Sequence, residues 1–216
     1  FWHLDQAEYS VVVHKDVQWA EAKGFKLTTD IYVPNIDKKN LPLLVIFHGG
    51  GWLLNSKSIM NDMSNYMAAN AELVVVNVDY RLLGDKKNTT TLNEMVEDAI
   101  GSVLWVKDNI KQYGGNPQKI AVTGDSAGGQ LAAMVMLTGN KLESDGFAGD
   151  TLGFNPTYLP KNKTAEQVAR RDGARVQAGV LSYAAYELLA AGKAALKHPV
   201  INLGSGQKPL HAVFLA

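Results

Sequence analysis

The chain has 216 residues, of which 46% are hydrophobic and 19% charged, enough for one domain of ordinary size with a buried core. Lys plus Arg equals Asp plus Glu at 21 each, so neither nucleic acid nor an anionic membrane is indicated as a partner. No apolar run approaches the ~18 residues of a membrane span, and the absence of cysteine excludes disulfides, thiolate metal sites and a Cys nucleophile. The chain opens on Phe1 and Trp2 without an initiator Met and reads as processed or trimmed. The compartment stays open between the cytoplasm and secretion or periplasmic export after signal removal.

Tyr9 to Val17 and Phe25 to Val33 are rich in Val, Ile, Thr and Tyr, and read as two antiparallel strands joined through Gly24. Leu41 to Phe47 is a continuous apolar run that predicts a buried central strand, stopping at a glycine cluster. Ser58 to Asn70 has helical spacing, and Leu73 to Val78 is a second buried strand. Leu92 to Tyr113 reads as a long helix with Met95, Ala99, Val103, Val106 and Ile110 on one face, and Thr90 or Thr91 with Glu94 placed to form its capping box. Gly114 and Gly115 break it. Lys119 to Thr123 is then a strand, Ala127 to Leu137 a helix, Val176 to Tyr183 a strand, and His211 to Leu215 the start of another. Alternating short apolar strands and helices predict an α/β fold: a mostly parallel sheet covered on both faces, with the N-terminal strands as an antiparallel edge. The polar stretch Asn140 to Arg175 is too long for an ordinary connection. It reads as a lid-like insertion near the active-site mouth or, equally, as a plain surface loop; Phe154 and Tyr158 within it are weak candidates to line a substrate pocket.

Two motifs carry chemistry. Gly124-Asp125-Ser126-Ala127-Gly128-Gly129 matches G-x-S-x-G between a strand and a helix. That context lifts a serine hydroxyl clear of the sheet at a strained turn, with the helix N-terminus facing developing negative charge. Ser126 is therefore the expected nucleophile. His48-Gly49-Gly50-Gly51-Trp52 directly follows the first buried strand, and consecutive glycines there expose amides suited to a tetrahedral oxyanion. No G-K-[ST] follows, which argues against a phosphate loop. The amide of Ala127, the residue after the nucleophile, is a further expected donor. His48 reads as a structural residue that orients the loop.

These motifs resemble the hormone-sensitive-lipase-like (bacterial family IV) branch of the α/β hydrolases. The first resembles that family's GDSAGG elbow and the second its HGGG(F/W) loop. Val78-Asp79-Tyr80-Arg81-Leu82 is similar to its DYRL segment, and Gly115 to Ile120 to the turn before its nucleophile strand. The resemblance implies an α/β-hydrolase fold, oxyanion amides from Gly50, Gly51 and Ala127, Gly49 serving the turn, and scaffold roles for Asp79 and Arg81. It implies a carboxylesterase acting on short-chain or small aryl esters through an acyl-enzyme on Ser126, with no cofactor or metal and a small ester as partner.

The resemblance breaks at the C-terminus. A serine nucleophile needs a base and an orienting carboxylate, which in this fold follow in the order Ser, Asp or Glu, His. Past Tyr183 the chain offers only Glu187, His198 and His211. The expectation is that the chain stops within the strand leading to the acid, at Pro209 to Ala216, leaving the triad Asp and His and the last strands outside it. Such a piece would pair with its missing part or self-associate. An arylformamidase-like amide hydrolase, a non-catalytic ligand-binding homologue and an inactive fragment remain as alternative readings.

Overall fold

The computed structural model describes residues 7–142 and 153–186. Those up to 184 belong to one compact unit, and Ala185 and Tyr186 to a second. The expected strand at His211 to Leu215, together with Glu187, His198 and the segment Pro209 to Ala216, lies outside the described residues.

A six-stranded sheet forms the frame, ordered β1-β2-β4-β3-β5-β6. β1 (Val11–Ala22) and β2 (Phe25–Pro34) make the antiparallel hairpin, and β2 pairs antiparallel with β4 (Val74–Val78). β3 (Leu41–Phe47) lies parallel between β4 and β5 (Gly115–Asp125), and β6 (Ala178–Ser182) is parallel to β5. All five residues of β4 are buried, four valines and Asn77, as expected of a central strand in a sheet covered on both faces.

Right-handed crossovers fix the helices. The chain steps from β3 to β4 in one direction through α1 (Asn61–Asn70), then back across β3 to β5 through α3 (Leu92–Asn109), so these two helices lie on opposite faces. α4 (Ala127–Thr138) continues in the second direction and packs beside α3. On the α1 face Tyr32, Leu44, Ile46 and Val75 enclose Met60 and Ala68.

Differences from the sequence reading are local. The helix expected to run to Tyr113 is α-helical only to Asn109 and closes as a 3-10 turn over Ile110–Tyr113, stopped by Gly114 at φ 82°. The capping box uses Thr91, whose hydroxyl accepts from the Glu94 amide while Glu94 accepts from the Thr91 amide. β5 begins four residues before the expected Lys119, because Gly115 pairs with Leu41. A short helix α2 (Asp85–Asn88) precedes α3.

The described part of the 140–175 segment runs along α3 and includes a short helix, α5 (Ala165–Ala169). The Asn155 amide donates to the Glu97 carboxylate (2.9 Å) and the Thr157 amide to the Glu97 carbonyl (3.1 Å). The Tyr158 hydroxyl donates to Asp108 (2.6 Å). Since α3 runs antiparallel to the parallel strands, Asp108 sits at the end of the helix that leads into β5, across the sheet from Ser126. Tyr158 is thus spent on the scaffold and does not line a pocket at the catalytic edge; Phe154 is buried in packing. Residues 143–152, which carry the rest of the insertion, lie outside the described residues.

Candidate active site

β3 and β5 are neighbours, and their register pairs Phe47 with Gly124. The loops that follow therefore leave the sheet side by side, one strand spacing of about 4.8 Å apart. This is also where the strand order reverses, the crevice in which open α/β sheets place ligands.

The turn after β5 holds Ser126 at φ 51°, ψ −115°, a conformation that L residues rarely adopt. Ser126 is anchored on both sides: its amide donates to the Ser182 carbonyl (2.9 Å), and its carbonyl accepts from the Gln130 amide (3.1 Å). The side chain begins at the N-terminus of α4, where Ala127 occupies the first helical position and the leading amides have no intrahelical acceptor. The elbow sits so close to the end of β3 that a Cβ on Gly128 would press into the Phe47 carbonyl oxygen and lie 2.6 Å from that of His48.

The loop after β3 is pinned to the elbow. The Gly49 amide donates to Asp125 Oδ1 (2.8 Å), the residue just before Ser126. Asp125 Oδ2 in turn accepts from the Tyr183 hydroxyl (3.3 Å) at the end of β6. Gly50 and Gly51 have φ 129° and 60°, followed by Trp52 at 61° and Asn55 at 76°. Gly50 is required twice, by its φ and because a Cβ would drive into the carbonyl of Leu54, whose amide closes the turn on the Gly50 carbonyl (3.0 Å). A Cβ on Gly51 would meet nothing within 4 Å among the described residues, and Gly51 is exposed. Trp52 is buried, and its indole N–H donates to Gln130 on α4 (3.3 Å), a second tie between loop and nucleophile helix.

A model of the BD-FAE family matches residues 29–195, which include both loops, part of β2 and the whole of β3 to β6. The chain belongs to the BD-FAE family. Several of its curated relatives are esterases. It is 36% identical over 116 residues to the carboxylesterase NlhH of Mycobacterium tuberculosis, covering 52% of this chain and 35% of that one. It is 36% identical over 123 residues to the arylesterase of Saccharolobus solfataricus, covering 56% and 39%. The chain thus spans well under half the length of these relatives. Among solved structures, esterase 2 of Thermogutta terrifontis phosphorylated by paraoxon superposes with a TM-score of 0.63 at 21% identity, over 88% of this chain and 63% of that one. This likeness carries the α/β-hydrolase fold.

Within this BD-FAE chain, His48 lies under the glycine loop. Its Nδ1 faces the Gly49 carbonyl at 2.8 Å and so carries the proton. The ring stacks on Tyr80, centroids 4.5 Å apart, and the Tyr80 hydroxyl donates back to the His48 carbonyl (2.6 Å). Burial, against the opposing pull of Asp79 and Asp125, pushes His48 below its ordinary 6.5 and holds it neutral. Burial, reinforced by the charges of Asp125 and Asp79, raises the Tyr80 phenol well above its usual value. Asp79 and Arg81, read from the sequence as scaffold, make buried polar contacts: Arg81 grips Asp98 through Nε (2.9 Å) and Nη2 (2.8 Å), and Asp79 accepts from the Lys57 amide (2.6 Å).

The neutral, buried His48 sets a pH dependence. Unfolded, it takes up a proton near pH 6.5; folded, only at lower pH. The folded state therefore binds fewer protons in that window, and stability present above pH about 6.5 is lost as pH falls toward the folded value. The thermal midpoint is expected to decline across this range, and less steeply in His48→Asn, by calorimetry at stepped pH. Equal slopes would rule His48 out as the cause.

Sequence reasoning missed three parts of this assembly: the Asp125 link to Gly49, the Trp52–Gln130 tie and Lys57. Each joins residues distant in the chain, as the 76-residue separation of Gly49 and Asp125 illustrates. The Phe47–Gly124 register brings the first two together, and the pairing of β1, β2 and β4 gathers the partners of Lys57; no local pattern records either.

Proposed function

We propose that this chain carries the nucleophile and oxyanion machinery of a serine carboxylesterase acting on short-chain or small aryl esters. In this reading Ser126 Oγ gives its proton to a base and attacks the ester carbonyl carbon. The amides of Gly50, Gly51 and Ala127 hold the oxygen that gains negative charge. Collapse expels the alcohol, which takes the proton back, and water then hydrolyses the acyl-Ser126 ester. The orienting acid and the base come from beyond the described residues.

The observation that carries this proposal is the left-handed Ser126 at a strand-to-helix turn, in register beside a glycine loop whose end is hydrogen-bonded to the preceding residue. The esterase names of the curated relatives support the same substrate class. The test is a fluorophosphonate probe on the whole protein, followed by peptide mass mapping and by turnover of p-nitrophenyl acetate against an aryl formamide. An adduct on Ser126 with faster ester turnover is expected. An unlabelled protein would leave the ligand-binding reading in its place, and faster formamide cleavage the amide hydrolase.

A further inference from the structure

The loop that bears Gly50 and Gly51 is closed at its far end by Lys57, a buried lysine of which only 8% is exposed. Its main chain is stapled to the end of β4: the amide donates to Asp79 Oδ1 (2.6 Å), and the carbonyl accepts from Asn77 Nδ2 (2.8 Å). Its ammonium reaches back under the sheet edge to Asp16 Oδ1 (2.7 Å), Thr28 Oγ1 (3.0 Å) and Asp79 Oδ2 (3.2 Å), with Asp30 at 3.5 Å. One cation thus faces three carboxylates from three strands or strand ends.

The carboxylate of Asp79 is where both ends of the loop converge. It holds Lys57 at one end, and its Oδ1 lies 4.0 Å from Nε2 of His48 at the other. Among the described residues that buried nitrogen has no hydrogen-bond partner, so the field of Asp79 reaches it directly. His48 in turn holds the Gly49 carbonyl.

The N-terminal hairpin is shaped to this contact. β1 slips register between His14 and Val17, and Asp16 within the slip has φ 52°. A bulge re-aims a side chain, and here it turns Asp16 onto Lys57, while the Asp16 amide donates to Asp30 (2.8 Å). The Asp16 side chain is 73% exposed, so this strained backbone serves no core packing.

We propose that Lys57 is a positioning residue: clamped by Asp16 and Asp30 from the hairpin, it fixes Asp79 beneath the glycine loop and thereby the direction of the Gly50 and Gly51 amides. This rests on those amides serving the proposed acyl transfer. Without the ammonium, Asp79 would be an anion repelled by Asp30 and Asp16 and would swing, taking the loop with it. Burial pulls the lysine toward its neutral form, but the hydrogen bonds to Asp16 and Asp79 and the charges of Asp79 and Asp30 outweigh it, so the clamp stays charged.

The experiment compares wild type, Lys57→Met, Lys57→Arg and Asp16→Asn in fluorophosphonate labelling rate and in kcat and KM for p-nitrophenyl acetate. A misplaced catalytic group costs up to about 10²-fold, so Lys57→Met is expected to lower both labelling rate and kcat about 10- to 100-fold with KM within about threefold. Lys57→Arg should recover most of the loss, and Asp16→Asn should slow labelling several-fold with an unchanged thermal midpoint. A Lys57→Met enzyme that only melts earlier, with wild-type labelling and kcat, overturns the proposal. Should that variant not fold, wild-type labelling of Asp16→Asn overturns it instead. A wild type that reacts with neither probe nor ester removes the proposed function and this inference together, whereas a reactive wild type with indifferent variants removes this inference alone.

Discussion

Ser126→Ala is expected to abolish fluorophosphonate labelling and to lower ester turnover on the order of 10⁴–10⁶-fold, the scale set by removing a serine nucleophile that acts as a unit with its base. Ser126→Gly should be equally inactive yet more stable. The wild-type φ of 51° and ψ of −115° mirror the ordinary extended region, which only glycine enters without strain. Such strain costs about 1–3 kcal/mol, offset in the glycine variant by about 0.4–1 kcal/mol of unfolded-chain entropy. A net gain near 1 kcal/mol raises the thermal midpoint by about 2–4 °C for a chain of this size. Alanine keeps the Cβ and with it the strain, so Ser126→Ala should melt near the wild type. The expected order of midpoints, glycine above alanine and wild type, tests the stored strain separately from the chemistry. An active Ser126→Ala would move the nucleophile elsewhere; a Ser126→Gly that melts below Ser126→Ala would show that the turn holds no strain worth relieving.

How much of this was legible before the fold follows from where each signal resides. β3 and β4 announce themselves because a strand buried on both faces is predominantly apolar, with Asn77 the one polar residue of β4, and the two glycine-bearing motifs because their backbone needs glycine whatever surrounds them. Strand register carries no such mark. That Phe47 sits opposite Gly124, and hence that Gly49 can reach Asp125, emerges only when β3 and β5 are laid side by side. Lys57 was invisible for a related reason: a lysine in a loop reads as solvated, and its partners Asp16 and Asp79 stand 41 and 22 residues away. The bulge that aims Asp16 interrupts alternation in β1, which shortened the strand read from sequence to Val17 although pairing continues to Ala22. Tyr158 misled through composition. An aromatic in a polar insertion resembles a pocket wall, but Asn155, Thr157 and Tyr158 follow the polar flank of α3 toward Asp108.

The closeness of the two motifs leads to the second large effect, at Gly128. A Cβ there would meet the Phe47 carbonyl oxygen well inside contact distance and the His48 carbonyl at 2.6 Å, all backbone atoms that no rotamer change can move. Gly124 faces the same constraint from the other side, since its Cβ would strike the Gly128 backbone and lie 2.6 Å from the Phe47 oxygen. The only relief is to lift α4 away from the end of β3. That would separate Asp125 from Gly49 and Gln130 from Trp52, and leave those polar groups partly unpaired. Gly128→Ala is therefore expected to cost at least about 4 kcal/mol, in the range that marks a strained or overpacked core, and any protein that folds should label at Ser126 far more slowly than wild type. Gly51→Ala makes the contrasting control, because its Cβ meets open space and only the φ of 60° is strained. It should lose about 1–2 kcal/mol and remain folded. Chemical denaturation of the three proteins gives the ranking directly. A Gly128→Ala variant as stable as Gly51→Ala would mean that nucleophile helix and glycine loop are not in the contact from which the whole site is built.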